Sequence, residues 1–183
     1  MPFASSLPAT SASRPPAALL GPVIGFAILA GMRSAGAPTL LSHYLGRHPA
    51  AGLASSPLRL LQQPAVATAL KLAAVREFIH DKQPNGAPRT APRGLSLRTV
   101  GGALAGATWL KANGQSAVGG ALLGGIGAAA ATFGWYYLRK AITDKAALPP
   151  NAVGLGEDAL LWSAGAVLLH YLPPPVAPNT TPG

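Results

Sequence analysis

The chain has only five acidic residues, and four of them form two close pairs, Glu77 with Asp81 and Glu157 with Asp158. Residues four apart share one face of a helix, so Glu77 and Asp81 would lie one turn apart. Both pairs fall in apolar segments, where an ionisable side chain needs a partner, a position near the surface or a wet interior. Carboxylates in such a setting can bind a cation or relay protons.

Basic side chains close to these segments offer partners for the carboxylates. Lys82 and Arg98 would compensate them, and Arg33 lies at an interruption of the first apolar segment. The sequence therefore predicts a ligand or ion site with these members: Glu77, Asp81, Lys82, Arg98, Glu157, Asp158 and Arg33. The alternative is a structural network of ion pairs that holds helix ends together.

A metal site is a weaker interpretation of the same stretch. Glu77 and His80 have the Glu-x-x-His spacing that places two ligands on one face of a bundle helix. Such sites usually carry two of these motifs, whereas this chain has one, and it has no cysteine. His170 has no partner that the sequence reveals. Because the chain also lacks a nucleophile with a base and any nucleotide fingerprint, we predict no metal, no cofactor and no enzyme activity.

The element that must position these residues is the apolar stretch 116–138. It contains no charged side chain, it ends in Trp135-Tyr136-Tyr137, and Arg139-Lys140 follow at once. A bilayer core needs about 20 apolar helical residues, and aromatic and basic residues anchor the end of such a helix. Only 10% of the residues are charged and 49% are hydrophobic, whereas soluble domains carry about 25% charged residues. The predicted fold class is therefore an all-α, polytopic transmembrane helical bundle.

Five spans are predicted in a single domain, residues 17–172, between disordered tails at 1–16 and 173–183. A cleaved signal peptide is the alternative for the start of the chain. The spans are residues 17–32 with a continuation at 39–45, and then 64–82, 95–110, 116–138 and 149–172. Gly36 and Pro38 predict that the first helix is broken. A broken helix at membrane depth is tolerated only where it lines protein or a cavity; an ordinary turn at the bilayer surface is the alternative.

A glycine-rich hairpin is predicted between the third and fourth spans. Each contains a GxxxG pair, Gly102 with Gly106 and Gly120 with Gly124. Glycines one turn apart let two backbones approach closely, which is how helices associate in a membrane. We expect these glycines to pack helices together, within one chain or in a homo-oligomer.

The basic residues indicate an orientation in the membrane. With five spans, eight of them fall on the side of the N-terminus: Arg14, Lys82, Arg89, Arg93, Arg98, Arg139, Lys140 and Lys145. The other side receives Arg33, Arg47, Arg59 and Lys111. Positive-inside bias then predicts a cytoplasmic N-terminus and an external C-terminus; a re-entrant first segment is the alternative and would change the number of spans. The net charge of +9 is explained by topology and anionic lipids rather than by nucleic acid, so the predicted partner is the lipid bilayer.

Several of these features together resemble a family of small bacterial membrane proteins known as domain of unknown function 4126. They are Gly31-Met32-Arg33-Ser34, residues 77–84 as E-x-x-x-D-K-x-P, Arg89, the glycine-rich hairpin, and Asn151 followed by Glu157-Asp158. The resemblance covers nearly the whole chain between the tails. It implies a multi-pass protein of the bacterial inner membrane, without a settled activity or substrate. The family's polar motifs fall on Glu77, Asp81, Lys82, Glu157 and Asp158, whereas His80 lies outside the pattern.

Two functions therefore stay open at the level of sequence. The first is a small transporter or ion-conducting protein that uses a carboxylate cluster on the cytoplasmic side. The second is a non-transporting membrane scaffold or assembly protein, whose charges only hold helices together. A dry, fully paired network would favour the second, and a water-accessible cavity at Glu77 and Glu157 would favour the first.

Overall fold

The computed structural model describes residues 16–80, 91–146 and 150–175 of the 183-residue chain. These residues form helices and connections without a strand, so the predicted all-α class is confirmed. The six α-helices are α1 Pro16–Met32, α2 Gly36–Arg47, α3 Pro64–His80, α4 Pro92–Ala112, α5 Ala117–Ala146 and α6 Pro150–Tyr171. Two short 3₁₀ helices, Ala51–Leu53 and Pro57–Gln62, lie between α2 and α3.

The interruption of the first helix lies within the predicted one but is shorter than predicted. It covers residues 33–35, whereas Gly36 and Pro38 belong to the first turn of α2. Amide groups in the first turn have no partner within the helix, so a proline there removes no hydrogen bond. The second difference is that α5 continues past residue 138 to Ala146.

A hairpin of α1 and α2 enters the bundle and returns to the end from which it came. Three contacts run in the same direction along α2 and α6: Gly36 with Leu161, Leu40 with Gly165, and Tyr44 with Leu172. α1 runs in the opposite direction, because its last turn is next to Asp158 while Gly25 packs against Leu168. We call α1, residues 33–35 and α2 the re-entrant hairpin.

The other helices alternate in direction across the bundle. α3 runs antiparallel to α2, since Ser42 Oγ donates to the Leu61 carbonyl while Thr39 Oγ1 donates to the Leu70 carbonyl. We call the end where α3 and α5 finish the upper end, and the opposite end the lower end. Both the start of α1 and the end of α6 lie at the lower end. The prediction of five spans contains one reversal fewer than the described helices, because α2 runs back along the bundle as a separate helix.

Within the described ranges, two helices are long and apolar enough to cross a membrane by length and composition, Ala117–Lys145 and Ala152–Tyr171. Ala17–Met32 is a shorter apolar helix. The other predicted spans, 64–82 and 95–110, correspond to α3 and α4, which do not meet that criterion. The predicted disordered tails fall mostly on residues 1–15 and 176–183, which lie outside the described residues, while residues 173–175 are described and are not helical.

The four glycines of the predicted hairpin lie where α4 and α5 meet. A Cβ atom added to Gly102 would collide with the Gly124 carbonyl oxygen, and one added to Gly106 would collide with that of Gly120. The two backbones are therefore in direct contact, and α4 and α5 form the most extensive helix pair in the bundle. Trp109 of α4 completes the core and is fully buried.

Candidate functional site

The site is built around the turn between α1 and α2, residues 33–35. α1 ends where it packs tightly on α5, since a Cβ at Gly31 would collide with Ala131. The chain then makes a short turn, closed by the Gly36 amide donating to the Arg33 carbonyl at 3.1 Å. Ala35 is the N-cap residue of α2, and its side chain makes no capping hydrogen bond. The turn thus leaves backbone amides that must find acceptors elsewhere.

Glu77 of α3 supplies those acceptors. The Ser34 amide donates to Glu77 Oε1 at 2.9 Å, and the Ala35 amide donates to Oε2 at 3.0 Å. Both oxygens of one carboxylate are therefore engaged by the turn. A negative charge at the N-terminal end of a helix is also favoured by the helix dipole. Glu77 acts as an N-terminal cap for α2 that is provided by another helix.

Arg33 and Asp158 form an ion pair across the bundle. Arg33 Nη2 lies against Asp158 Oδ1, and the two side chains are only 4% and 10% exposed. The Arg33 guanidinium also lies 5.6 Å from the ring centre of Phe78. Because a buried arginine requires a compensating charge, this pair ties α6 to the re-entrant hairpin.

The remaining helices close the turn from the other sides. Gly101 of α4 packs so closely on the Ser34 carbonyl that a Cβ there would collide with it. Thr132 of α5 donates its hydroxyl to the Ala128 carbonyl at 2.8 Å and lies 3.4 Å from the Gly31 carbonyl oxygen. The turn at residues 33–35 is therefore where α3, α4, α5 and α6 converge.

The structure brings only part of the predicted cluster to this turn. Glu77, Asp158 and Arg33 lie there together. Glu157 instead faces α5, where Arg139 Nη1 donates to Glu157 Oε2 at 3.5 Å. Arg98 is buried in α4, three residues before Gly101. Asp81 and Lys82 lie outside the described residues, as does the side chain of His80.

Sequence reasoning did not include Arg139 in the site, because Arg139-Lys140 was interpreted as a membrane anchor. It also did not include the amides of Ser34 and Ala35, which no side-chain pattern reveals. One signal was present for Arg33. The first 76 residues contain no Asp or Glu, so a buried Arg33 had to find its carboxylate at Glu77 or later in the chain.

A metal centre finds no support in the described part of the chain. No group of three or more histidine, aspartate or glutamate side chains is close enough there to hold a metal ion. Glu77, the residue of the Glu-x-x-His spacing that is described in full, has both oxygens engaged by backbone amides. The arrangement can orient and hold a helix end, and it presents two buried charges of opposite sign.

Fold and site together define an all-helical bundle with a re-entrant hairpin whose turn is held by the buried Asp158 and the partly buried Glu77. Comparison of the chain with protein-family models, with curated proteins and with solved structures finds no match. What the protein does must therefore be argued from its own geometry.

Proposed function

We propose that the protein is a multi-pass integral membrane protein with a scaffold or assembly role, in which buried charges hold a re-entrant hairpin in place. The observation that carries this proposal is the pairing of the three described carboxylates of the predicted cluster. Glu77 accepts from two backbone amides, Asp158 pairs with Arg33, and Glu157 accepts from Arg139. Groups engaged in this way hold helices together and have little capacity left for a mobile cation.

The membrane location is supported by apolar surface that the bundle leaves uncovered. One face of α5 carries large exposed apolar side chains at intervals of four or seven residues: Val118, Leu122, Ile126, Phe133 and Tyr137. Val118 and Ile126 are each 69% exposed. Soluble monomers rarely expose continuous apolar patches larger than a few hundred Å². A bilayer covers such a face, and α5 is one of the two helices that meet the spanning criterion.

The second candidate, a small transporter or ion-conducting protein, is favoured by the depth of the turn. Asp158 lies eight residues into α6, about 12 Å from the start of that helix at 1.5 Å per residue. Transporters place broken helices at such depth and use the ends of half-helices to bind ions. In this chain the N-terminal end of α2 is already neutralised by Glu77, which is why this candidate stands second.

Charge removal at the ion pair separates the two candidates. Asp158→Asn removes the carboxylate that the buried Arg33 side chain contacts and should destabilise the bundle by about 3 to 5 kcal/mol. The double variant Arg33→Met with Asp158→Leu removes both charges and should recover most of that stability. Unfolding in an uncharged detergent measures both effects, and dye-based ion flux in liposomes measures transport.

A scaffold requires that the wild type gives no ion flux and that the double variant is as stable as the wild type. If the wild type gives ion flux and a stable double variant does not, the scaffold proposal is wrong and the protein is a transporter. Carbonate washing of membranes tests the location separately, because a peripheral protein is released and an integral one stays in the pellet.

A further inference from the structure

We infer that the seam between α2 and α3 binds the phosphate group of an anionic phospholipid through Arg47 and Lys71, with His43 beside them. We call these three residues the basic seam. The inference rests on the proposed membrane location and adds a lipid class and a position on the bundle. It does not involve the turn at residues 33–35.

The three side chains are brought together by two helices. His43 and Arg47 lie one turn apart on α2, and Arg47 Nη1 lies against the His43 ring nitrogen Nε2. Lys71 approaches them from α3, where the carbonyl of the preceding residue, Leu70, accepts from Thr39 Oγ1 at 3.1 Å, one turn before His43 on α2. The Lys71 charge also acts on His43: burial, and then the positive charges of Arg47 and Lys71, lower the pKa of His43 below 6.5. His43 lies outside both candidate spans.

This part of the molecule has no negative charge to balance those cations. α2, the connection that follows it and α3 as far as Arg76 contain no Asp or Glu. In the described part of the chain, the ion pairs between side chains involve Arg33 and Arg139, whereas Arg47 and Lys71 are exposed and paired with no carboxylate. Two cations on a rigid pair of helices, without an internal counter-charge, fit an external anion.

An exposed apolar face next to the basic seam indicates that the anion is part of a lipid. Leu72, Val75 and Ile79 of α3 are 66%, 55% and 59% exposed. Val75 and Ile79 follow Lys71 by four and eight residues and therefore share its face of the helix, and Leu72 lies one turn before Val75 beside them. Lys71 is the member nearest the lower end, and the apolar residues continue from it toward the upper end. A phosphate at Lys71 would therefore leave its acyl chain lying along this face.

Lipid titration of the purified protein tests the inference. The protein in an uncharged detergent is titrated with short-chain phosphatidylglycerol, and separately with phosphatidylcholine of equal chain length, and binding is read by native mass spectrometry. The test variant is Arg47→Gln with Lys71→Gln. The matched control is Arg59→Gln with Lys145→Gln, which removes the same charge elsewhere. We expect the test variant to bind phosphatidylglycerol roughly thirtyfold more weakly than the wild type, as the loss of two surface cations implies, and the control to bind like the wild type.

The His43 ring gives a second measurement that needs no charge-removing variant. A bound phosphate favours the protonated imidazole, so phosphatidylglycerol should raise the His43 pKa measured by NMR, and phosphatidylcholine should not. His43→Gln assigns the signal. Equal binding of the two lipids, or an unchanged His43 pKa, would overturn the inference. If inorganic phosphate alone raises the His43 pKa equally, the bound phosphate group need not belong to a lipid, and the lipid part of the inference is overturned.

The outcome is distinguishable from failure of the proposed function. If carbonate releases the protein from membranes, the proposed membrane location is wrong, and the inference of a lipid at the basic seam is wrong with it. If the protein stays in the pellet and shows no preference for phosphatidylglycerol, only the inference fails.

Discussion

Glu77 engages the turn through both of its carboxylate oxygens, and this geometry distinguishes it from Glu157. Replacing Glu77 with Gln keeps one acceptor oxygen but turns an NH₂ group toward a backbone amide. Because an amide of the turn then lacks its acceptor, we expect Glu77→Gln to destabilise the bundle by about 1 to 3 kcal/mol. The measurement is unfolding in an uncharged detergent.

The matched control for that variant is Glu157→Gln. Its contact with Arg139 is longer, at 3.5 Å, and the Arg139 and Glu157 side chains are 29% and 11% exposed. Because Arg139 is partly solvated and only one oxygen of Glu157 is engaged by it, we expect a smaller loss than for Glu77→Gln, about 0 to 1 kcal/mol. Equal losses for the two variants would contradict the distinction between a carboxylate held by two backbone amides and one held by a long ion pair.

His43 gives the protein a pH dependence of known sign. Its pKa in the folded protein is lowered, by burial first and then by Arg47 and Lys71, so the unfolded chain binds the proton more readily. Stability should therefore be fully present above pH 6.5 and should decrease as the pH falls through 6.5 toward the folded pKa. His43→Gln should show a smaller decrease between pH 7.5 and pH 5.5 in unfolding midpoints. An identical pH profile for variant and wild type would remove His43 as the cause.

At the residue scale, the sequence predicted which charges matter better than it predicted their partners. Glu77, Asp158 and Arg33 could be selected because each is an ionisable group in an apolar setting. Their partners could not be selected, for two physical reasons. Arg33 and Asp158 are 125 residues apart in the chain, and the groups that Glu77 binds are backbone amides, which every residue except proline has.

At the element scale, the position of the break depends on α3 rather than on local sequence. Gly36 and Pro38 suggested an interruption at their own positions, because both disfavour the interior of a helix. The first turn of α2 accommodates both, and the amides before it are satisfied by Glu77. A cap that another helix provides has no signature in the residues next to the break. The sequence therefore predicted that the helix resumes at residue 39, whereas α2 begins at Gly36.

The glycine contact between α4 and α5 leads to a sharp comparison of two alanine substitutions. Gly106→Ala places a methyl group against the Gly120 carbonyl, so the helices must separate, at a cost of about 1 to 3 kcal/mol. Gly134→Ala, which lies in α5, meets nothing within 4 Å. It should be neutral, or stabilising by up to about 1 kcal/mol, because alanine favours a helix more than glycine does.

Thermal unfolding of both variants measures this difference. If Gly106→Ala were as stable as Gly134→Ala, α4 and α5 would not be in backbone contact. The same experiment tests an inference that the sequence already supported. The GxxxG spacing predicted which residues approach a neighbouring helix, since glycines one turn apart must lie on one face.

At the scale of the whole molecule, the re-entrant hairpin determines whether the start of α1 and the end of α6 lie at the same end of the bundle. The start of α1 and the end of α6 lie at the same end of the bundle. Reporters placed before Pro16 and after Pro175 should therefore report the same side of the membrane, and a reporter in the connection between α5 and α6 should report the other. Finding the first two reporters on opposite sides would contradict the hairpin and restore an odd number of crossings.

The sequence predicted the helices of the bundle more closely than its topology. Each predicted apolar segment corresponds to a helix, because long apolar runs bounded by proline and glycine leave few alternatives. Whether the first apolar segment crosses or returns stayed open in the sequence, since residues 39–45 form too short an apolar run to indicate a separate helix. Whether a segment crosses or returns depends on which helices it packs against, and that information is distributed over α3, α4 and α6.

The ion pair between Arg33 and Asp158 also sets an order of events during synthesis. The two residues are 125 positions apart, which at about 5 to 20 residues per second is an interval of roughly 6 to 25 s on the ribosome. Once residue 78 has been made, the nascent hairpin has Phe78 and the Glu77 cap within reach, but not yet the Asp158 carboxylate. The contact between the hairpin and α6 forms only after α6 has been made. A chain that stops before α6 lacks the carboxylate that Arg33 contacts in the bundle, so incomplete products differ from finished ones in the charge balance around the turn.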